Sequence, residues 1–338
     1  MACKPLGLAV PPSRGTQLNG GGHMRRVASI ALLCVFGAAA GAAPQDAARF
    51  HGGVDIVALN VVVTDGRGKL ISGLSSRDFA VLEDGIPQDI ACFAGTPVPV
   101  DLALLLDTSA SMTDKIATVQ KAAVGFTEVV RPGDRISVVD VKESVRVVHP
   151  LDENVAGARA AIRSMVPRGS TSLYNGLYMT LKEMMKQRRS AGDVRRQALV
   201  VLSDGDDTSS LIGFDDVMDL AKQSGIGIYT ITLQTPLPVQ SDALVDTESR
   251  TAIEFAMKAL AQETGARAFF PAKIEELAGV YGTIAGELAT QYSVGYVSKN
   301  PQPAGAYRRV TVRIERPEAR ARTRAGYIAT PPAPIARR

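Results

Sequence analysis

The sequence predicts an α/β protein: a doubly wound, mostly parallel sheet inserted in, or flanked by, a small β-sandwich built from N- and C-terminal strands. Three observations lead there. Between residues 98 and 290 short apolar runs alternate with amphipathic stretches of helical period, the pattern of strands covered by helices on both faces. On either side, residues 54–93 and 292–328 carry strand-like patterning and turn residues, with too few strands in each to close a core alone. Finally, the apolar run Val100-Asp101-Leu102-Ala103-Leu104-Leu105-Leu106 breaks abruptly into Asp107-Thr108-Ser109-Ala110-Ser111, so polar groups collect where a buried strand ends.

The elements follow in order. Residues 54–63 are rich in β-branched side chains, interrupted by Asp55 and Asn60, and Asp65-Gly66-Arg67-Gly68-Lys69 is a hairpin signal. Residues 79–82 read as a strand, Glu83-Asp84-Gly85 as a turn and 90–93 as a further strand, about four strands in all. After the strand at 100–106, residues 115–130 read as an amphipathic helix, 134–141 as a strand and 145–148 as its hairpin-like return. Helices are expected over 154–165, 172–187, 214–224, 250–264 and 274–290, with strands over 197–203, 227–233 and 266–270. Residues 292–297 alternate, 300–305 turn, and 309–314 alternate with Val310, Val312 and Ile314 opposite Arg309, Thr311 and Arg313. One more strand is expected within 319–328. The expected division is a leader at 1–42, an N-terminal β segment at 43–97, an α/β domain at 98–290, a C-terminal β segment at 291–330 pairing with the first, and a disordered tail at 331–338.

Length and charge narrow the classes. At 338 residues the chain has room for roughly two domains. The net charge of +4 comes from Lys4, Arg14, Arg25 and Arg26; without them 34 basic residues face 34 acidic ones. Residues 305–338 hold nine Arg against Glu315 and Glu318, but Arg309 and Arg313 fall on the expected solvent face of a strand, so no nucleic-acid partner is expected. Arg25-Arg26 followed by the apolar stretch 27–36 and Ala/Gly-rich residues reads as a secretory signal peptide, with translation starting at Met24 and cleavage after Ala42. The rival, a retained anchor, has too short an apolar core, so no stable membrane span is expected after cleavage. Cys3 and Cys34 fall in the leader, leaving Cys92 as a lone buried thiol.

The chemistry gathers at the strand end. In extended backbone, side chains at i, i+2 and i+4 point the same way, so Asp107, Ser109 and Ser111 can aim one carboxylate and two hydroxyls at one point. All offer oxygen, the donor that hard cations such as Mg²⁺ take. The alternative is a helix N-cap, which uses the same residue types. Two later segments bear on this: Arg168-Gly169-Ser170-Thr171-Ser172-Leu173-Tyr174, a polar loop opening a helix, and Leu199-Val200-Val201-Leu202-Ser203-Asp204-Gly205, a second buried strand ending in a carboxylate. Taken in order, Asp107, Ser109, Ser111, Thr171 and Asp204 resemble the metal-ion-dependent adhesion site of von Willebrand factor A domains.

That resemblance implies Ser109, Ser111 and Thr171 as neutral ligands of Mg²⁺ (or Mn²⁺ or Ca²⁺), with Asp107 and Asp204 as charged supports. It implies an exported adhesion or protein-interaction module, periplasmic or secreted, whose partner protein offers Asp or Glu to the ion. The segments Val61-Val62-Val63-Thr64-Asp65-Gly66, 78–85, Gln291-Tyr292-Ser293-Val294-Gly295-Tyr296 and Arg324-Ala325-Gly326-Tyr327 resemble an exported bacterial group of A-domain proteins best known from acidobacteria. Asp114 reads as a helix N-terminal acid rather than a second ion site. Asp206 and Asp207 read as caps, and Ser172 and Asn175 as caps or supporting donors. No catalytic residue is assigned: His51 and His149 are remote from the motif, and neither a Gly-x-Ser-x-Gly nor a Walker loop occurs. The alternatives are a metal-dependent hydrolase using the same site, and a structural envelope protein whose sandwich carries binding.

Overall fold

The computed structural model describes residues 56–95, 98–190, 195–204, 207–233 and 243–329. The leader, His51, Asp206 and the tail expected to be disordered at 331–338 lie outside the described residues. Among the described residues no helix is long and apolar enough to cross a membrane.

The chain opens with β1 (Ile56–Thr64), β2 (Phe79–Glu83), β3 (Ile86–Gln88) and β4 (Ile90–Ala94). The α/β unit runs β5 (Val100–Asp107), α1 (Ile116–Phe126), β6 (Arg135–Val141), β7 (Val145–Asp152), α2 (Val155–Ser164), α3 (Leu173–Ser190), β8 (Arg196–Ser203), α4 (Phe214–Ser224), β9 (Gly227–Thr232), α5 (Ala243–Glu263), β10 (Ala268–Phe269) and α6 (Leu277–Thr290). The chain returns to β structure in β11 (Tyr292–Val297), β12 (Tyr307–Ile314), β13 (Arg320–Arg322) and β14 (Gly326–Ile328).

The six-stranded sheet has the order β10-β9-β8-β5-β6-β7, with β7 antiparallel at one edge and every other pairing parallel. Because side chains alternate across a strand, β5 feeds two cores. Leu102, Leu104 and Leu106 pack with Val119 and Phe126 of α1, Ile162 of α2 and Tyr281 of α6. Ala103 and Leu105 pack with Leu177 of α3, Val217 of α4 and Leu260 of α5. Burying both faces is what makes the run almost continuously apolar.

Strands from the two flanks share both remaining sheets, of order β13-β1-β11-β4 and β14-β12-β2-β3. β11 is central in the first, between β1 and β4, and β12 pairs with β2 in the second. Their inner faces meet around Leu59, Val61, Val81, Val294 and Val312, with Phe79, Phe93 and Tyr292 in mutual ring contact at 5.1–5.9 Å. Neither flank has this core alone, and each of these side chains left in water would cost about 1.5–3 kcal/mol.

Three expectations change. The turn at 65–69 closes on itself, Asp65 Oδ1 accepting the Arg67 and Lys69 amides at 2.8 Å each, but only a single bridge, Thr64 to Leu70, follows. The tight hairpin is instead β2–β3, where Asp84 (φ 48°) and Gly85 (φ 83°) supply the two positive φ angles that a type I′ turn needs. Cys92, expected to be buried, is half-buried. It sits on the edge strand β4, and the other two cysteines lie outside the described residues. Arg308 also departs from the solvent face expected for the neighbouring Arg309 and Arg313. It shares the inward face of β12 with Val310 and Val312 and is 8% exposed.

Candidate metal centre

The sheet order reverses at β5: the chain passes from β5 to β6 on one side and later to β8 on the other. At such a reversal the loops leave the carboxyl ends of neighbouring strands in opposite directions and open a crevice. Asp107 ends β5, and Asp204 follows β8, its parallel neighbour.

Three loops close a ring around that crevice. The Arg168 amide donates to the Thr108 carbonyl at 2.9 Å and the Ala110 amide to the Gly169 carbonyl at 3.0 Å, joining the β5 loop to the loop before α3. Gly169 adopts φ 71°, a left-handed conformation that favours glycine, and lies against the Glu143 carboxylate. The Thr208 and Ser209 amides donate to the Thr171 carbonyl at 2.9 and 3.0 Å, and the Thr171 amide donates to Thr208 Oγ1 at 3.0 Å. Those bonds use only main-chain atoms of Thr171, so its side chain is positioned without engaging the hydroxyl. Ser203 Oγ donates to Asp107 Oδ2 at 2.7 Å and closes the ring.

Within it, Ser109 tests the two sequence readings. It stands before a short 3-10 turn but makes no side-chain cap; its Oγ lies 3.0 Å from Ser111 Oγ instead. The capping alternative therefore lacks its bond. Asp107 is fully buried, Oδ1 accepting the Ser109 amide at 2.9 Å. Burial pushes its carboxyl up to about 6, against the pull of the Ser203 and Ser109 donors and with the charge of Asp204 adding to the rise. Asp204 Oδ1 is buried with no hydrogen-bond partner among the described residues, and Oδ2 lies 3.5 Å from Lys115 Nζ.

Two desolvated carboxylates and a pair of hydroxyls at one point leave negative charge under-compensated, and a hard cation offsets this. Among the described residues there is no cluster of three or more His, Cys, Asp or Glu side chains, so the donor set here is hydroxyl and carboxylate oxygen rather than imidazole or thiolate. The chemistry of these oxygen donors suits a divalent ion.

Sequence reasoning missed the layer beneath. Thr108, between Asp107 and Ser109, donates its hydroxyl to Asp140 Oδ1. Asp140 is paired at 2.8 Å with buried Lys142, whose Nζ also donates to the Val166 carbonyl at 3.3 Å. This buried pair thus pins the β5 loop to the loop that carries Thr171. The one available signal was charged residues at the end of the apolar strand 136–141. Asp207, expected to cap the next turn, instead accepts the Leu173 amide at the start of the earlier helix α3 at 3.0 Å, and Asn175 Oδ1 accepts the Leu211 and Ile212 amides at 3.2 Å. Asp114 is exposed and precedes α1 by two residues, outside its first turn, which corrects its reading as a helix N-terminal acid. His149 bonds Asp152 at 2.9 Å on the edge strand β7.

The von Willebrand factor type A domain model matches residues 101–282. A von Willebrand factor type A protein from Catenulispora acidiphila aligns with a TM-score of 0.47 and 11% identity, over 83% of this chain and 76% of that one. Proximal thread matrix protein 1 from the mussel byssus, in a structure with a zinc-occupied MIDAS motif, aligns with a TM-score of 0.46 and 14% identity, over 62% of this chain and 50% of that one. Translation initiation factor IF-2 of Azorhizobium caulinodans is 30% identical over 134 residues, 37% of this chain, which spans 11% of that protein's length. With the family model covering more than half of its length, the chain belongs to the von Willebrand factor type A domain family.

Proposed function

We propose that the protein is an exported interaction module that binds an acidic group of a partner protein through Mg²⁺ held by Asp107, Ser109, Ser111, Thr171 and Asp204. The observation that carries the reading is the unpartnered, buried Asp204 Oδ1 beside the fully buried Asp107 carboxylate, in a ring that three loops hold shut. When bound, the ion supplies a positive coordination position, and neutral hydroxyl ligands leave it able to attract a further carboxylate. Ser109, Ser111 and Thr171 contribute donor oxygens without adding charge. Asp107 and Asp204 contribute the attraction, and the Asp140–Lys142 pair holds the loops. Export rests on the Arg25-Arg26 and apolar leader pattern.

The test is a pull-down from native envelope with wild type and Thr171→Ala side by side, in Mg²⁺ and in chelator, together with N-terminal sequencing of the cellular protein. A partner retained by wild type in Mg²⁺, released by chelator and absent with Thr171→Ala is expected, and a mature chain beginning near Ala43. Capture that ignores both chelator and substitution would overturn the adhesion reading, and an N-terminus at Met1 would overturn export.

Lys115 bears on affinity. Its ammonium, with a side chain 17% exposed, sits 3.5 Å from the Asp204 carboxylate and would repel an incoming cation. Lys115→Met is expected to tighten Mg²⁺ binding roughly threefold to tenfold, the scale of one partly screened ion pair. Calorimetric titration checks this. Unchanged or weaker binding would remove Lys115 from the ion's electrostatics.

A further inference from the structure

The opposite end of the α/β sheet holds a cavity of about 490 Å³, within the roughly 300–1,000 Å³ range of small-molecule sites. Its walls are mostly apolar: Val98, Val100 and Leu102 at the start of β5, Val129 after α1, and Ala285 and Ala289 on α6. The small α6 side chains leave the space between helix and sheet open.

Arg196 lines the same cavity. It is 5% exposed, and its Nη1 and Nη2 donate to the Gln291 and Val98 carbonyls at 2.9 and 3.0 Å. Nε has no hydrogen-bond partner, and no carboxylate pairs with the guanidinium, among the described residues. Glu128 and Asp134 also line the cavity, and Asp134 attracts the guanidinium without hydrogen-bonding to it. Asp134 accepts the Val100 and Arg131 amides at 2.8 and 2.9 Å, and Asp101 is shared by Arg135 and Arg195 at 2.6 Å each. Burial lowers the guanidinium to about 10, against the pull of Asp134 and with the nearby charge of Arg131 adding to the fall.

Two carbonyl bonds explain a tether between the chain crossings at Val98 and Gln291. They do not explain why the Nε of a nearly fully buried guanidinium is left without a hydrogen bond among the described residues beside an open, mostly apolar space, a donor that is costly to bury unless something accepts from it. We propose that this cavity binds a small amphiphilic carboxylate, its headgroup held by Arg196 and its alkyl body by the β5 and α6 walls. The site is separate from the candidate metal centre and does not depend on it.

The test titrates the full chain with decanoate and, separately, with decanol, both below the concentration at which they aggregate, using calorimetry. Saturable decanoate binding at one per chain is expected, with decanol weaker by at least about tenfold, the scale of a charge-assisted hydrogen bond. Ala289→Leu, which fills the cavity, is expected to abolish decanoate binding with the thermal transition retained. Arg196→Gln is expected to bring decanoate and decanol to equal affinity. No saturable decanoate binding, equal binding of the two by wild type, or binding unaffected by Ala289→Leu would each overturn the proposal.

Discussion

Asp107→Asn is expected to weaken divalent-ion binding by about 10–100-fold while leaving the metal-free protein more stable than wild type. The two effects share one cause. The Asp107 carboxylate is fully buried beside Asp204, and burial raises its pKa from 3.8 to about 6. An acid with a raised folded-state value holds its proton more tightly when folded. Its contribution to stability is therefore complete below the unfolded value of 3.8 and is lost as pH rises through about 6. At pH 7–8 the ionised group then costs on the order of 3 kcal/mol, which the neutral amide avoids. The amide also fits the bonds: its oxygen can accept the Ser109 amide, and its nitrogen can donate to Ser203 Oγ. Melting curves without metal at pH 5 and pH 8, with Mg²⁺ titrations beside them, check this. A variant that still binds Mg²⁺ normally, or that melts below wild type at pH 8, would show that Asp107 is not held in strain for an ion.

Glu83→Ala is expected to cost about 3–5 kcal/mol, the scale of removing one partner from a buried ion pair. Glu83 has no solvent exposure and accepts Tyr296 Oη at 2.8 Å, Tyr327 Oη at 2.9 Å, Ser298 Oγ at 2.7 Å and Arg308 Nη1 at 3.1 Å. Burial alone would raise its pKa, but these donors outweigh it and hold the carboxyl below the usual glutamate range. Its contribution is thus present above the unfolded value of 4.5 and lost as pH falls through the lower folded value. Removal strands a guanidinium and three hydroxyls in the core between the two sheets. Tyr327→Phe, which takes away one donor, should cost only about 1 kcal/mol. Denaturant unfolding of both variants, with Mg²⁺ affinity measured on the folded fraction, separates the effects. A Glu83→Ala loss no larger than that of Tyr327→Phe would mean that the cluster is incidental to sandwich stability.

The sequence alone determined the parts whose physics is local. Continuous apolar runs marked β5 and β8, helical periodicity marked α1 to α6, and the alternation in 309–314 marked β12, because each pattern records which faces of one element are buried. The oxygen donors were legible in part for the same reason: Asp107 and Ser109 lie in extended backbone, whereas it is the 3-10 turn at 110–112 that brings Ser111 Oγ to Ser109 Oγ. What only the tertiary structure decided is where charge goes when it leaves water. Glu83 read as part of a turn and Arg308 as one of many arginines, yet they pair across 225 positions inside the sandwich. Asp140 and Lys142 closed an apolar strand without signalling that they bind two loops together, and Arg196 began a strand without signalling that its charge would be buried beside a cavity. Even the choice between two Asp-Gly turns depended on partners far along the chain, since β1 pairs with β11 and leaves nothing for a hairpin after Asp65. A buried ion or strand edge is stable only through a partner that satisfies it. That partner is set by how distant segments pack, not by the residues next to it.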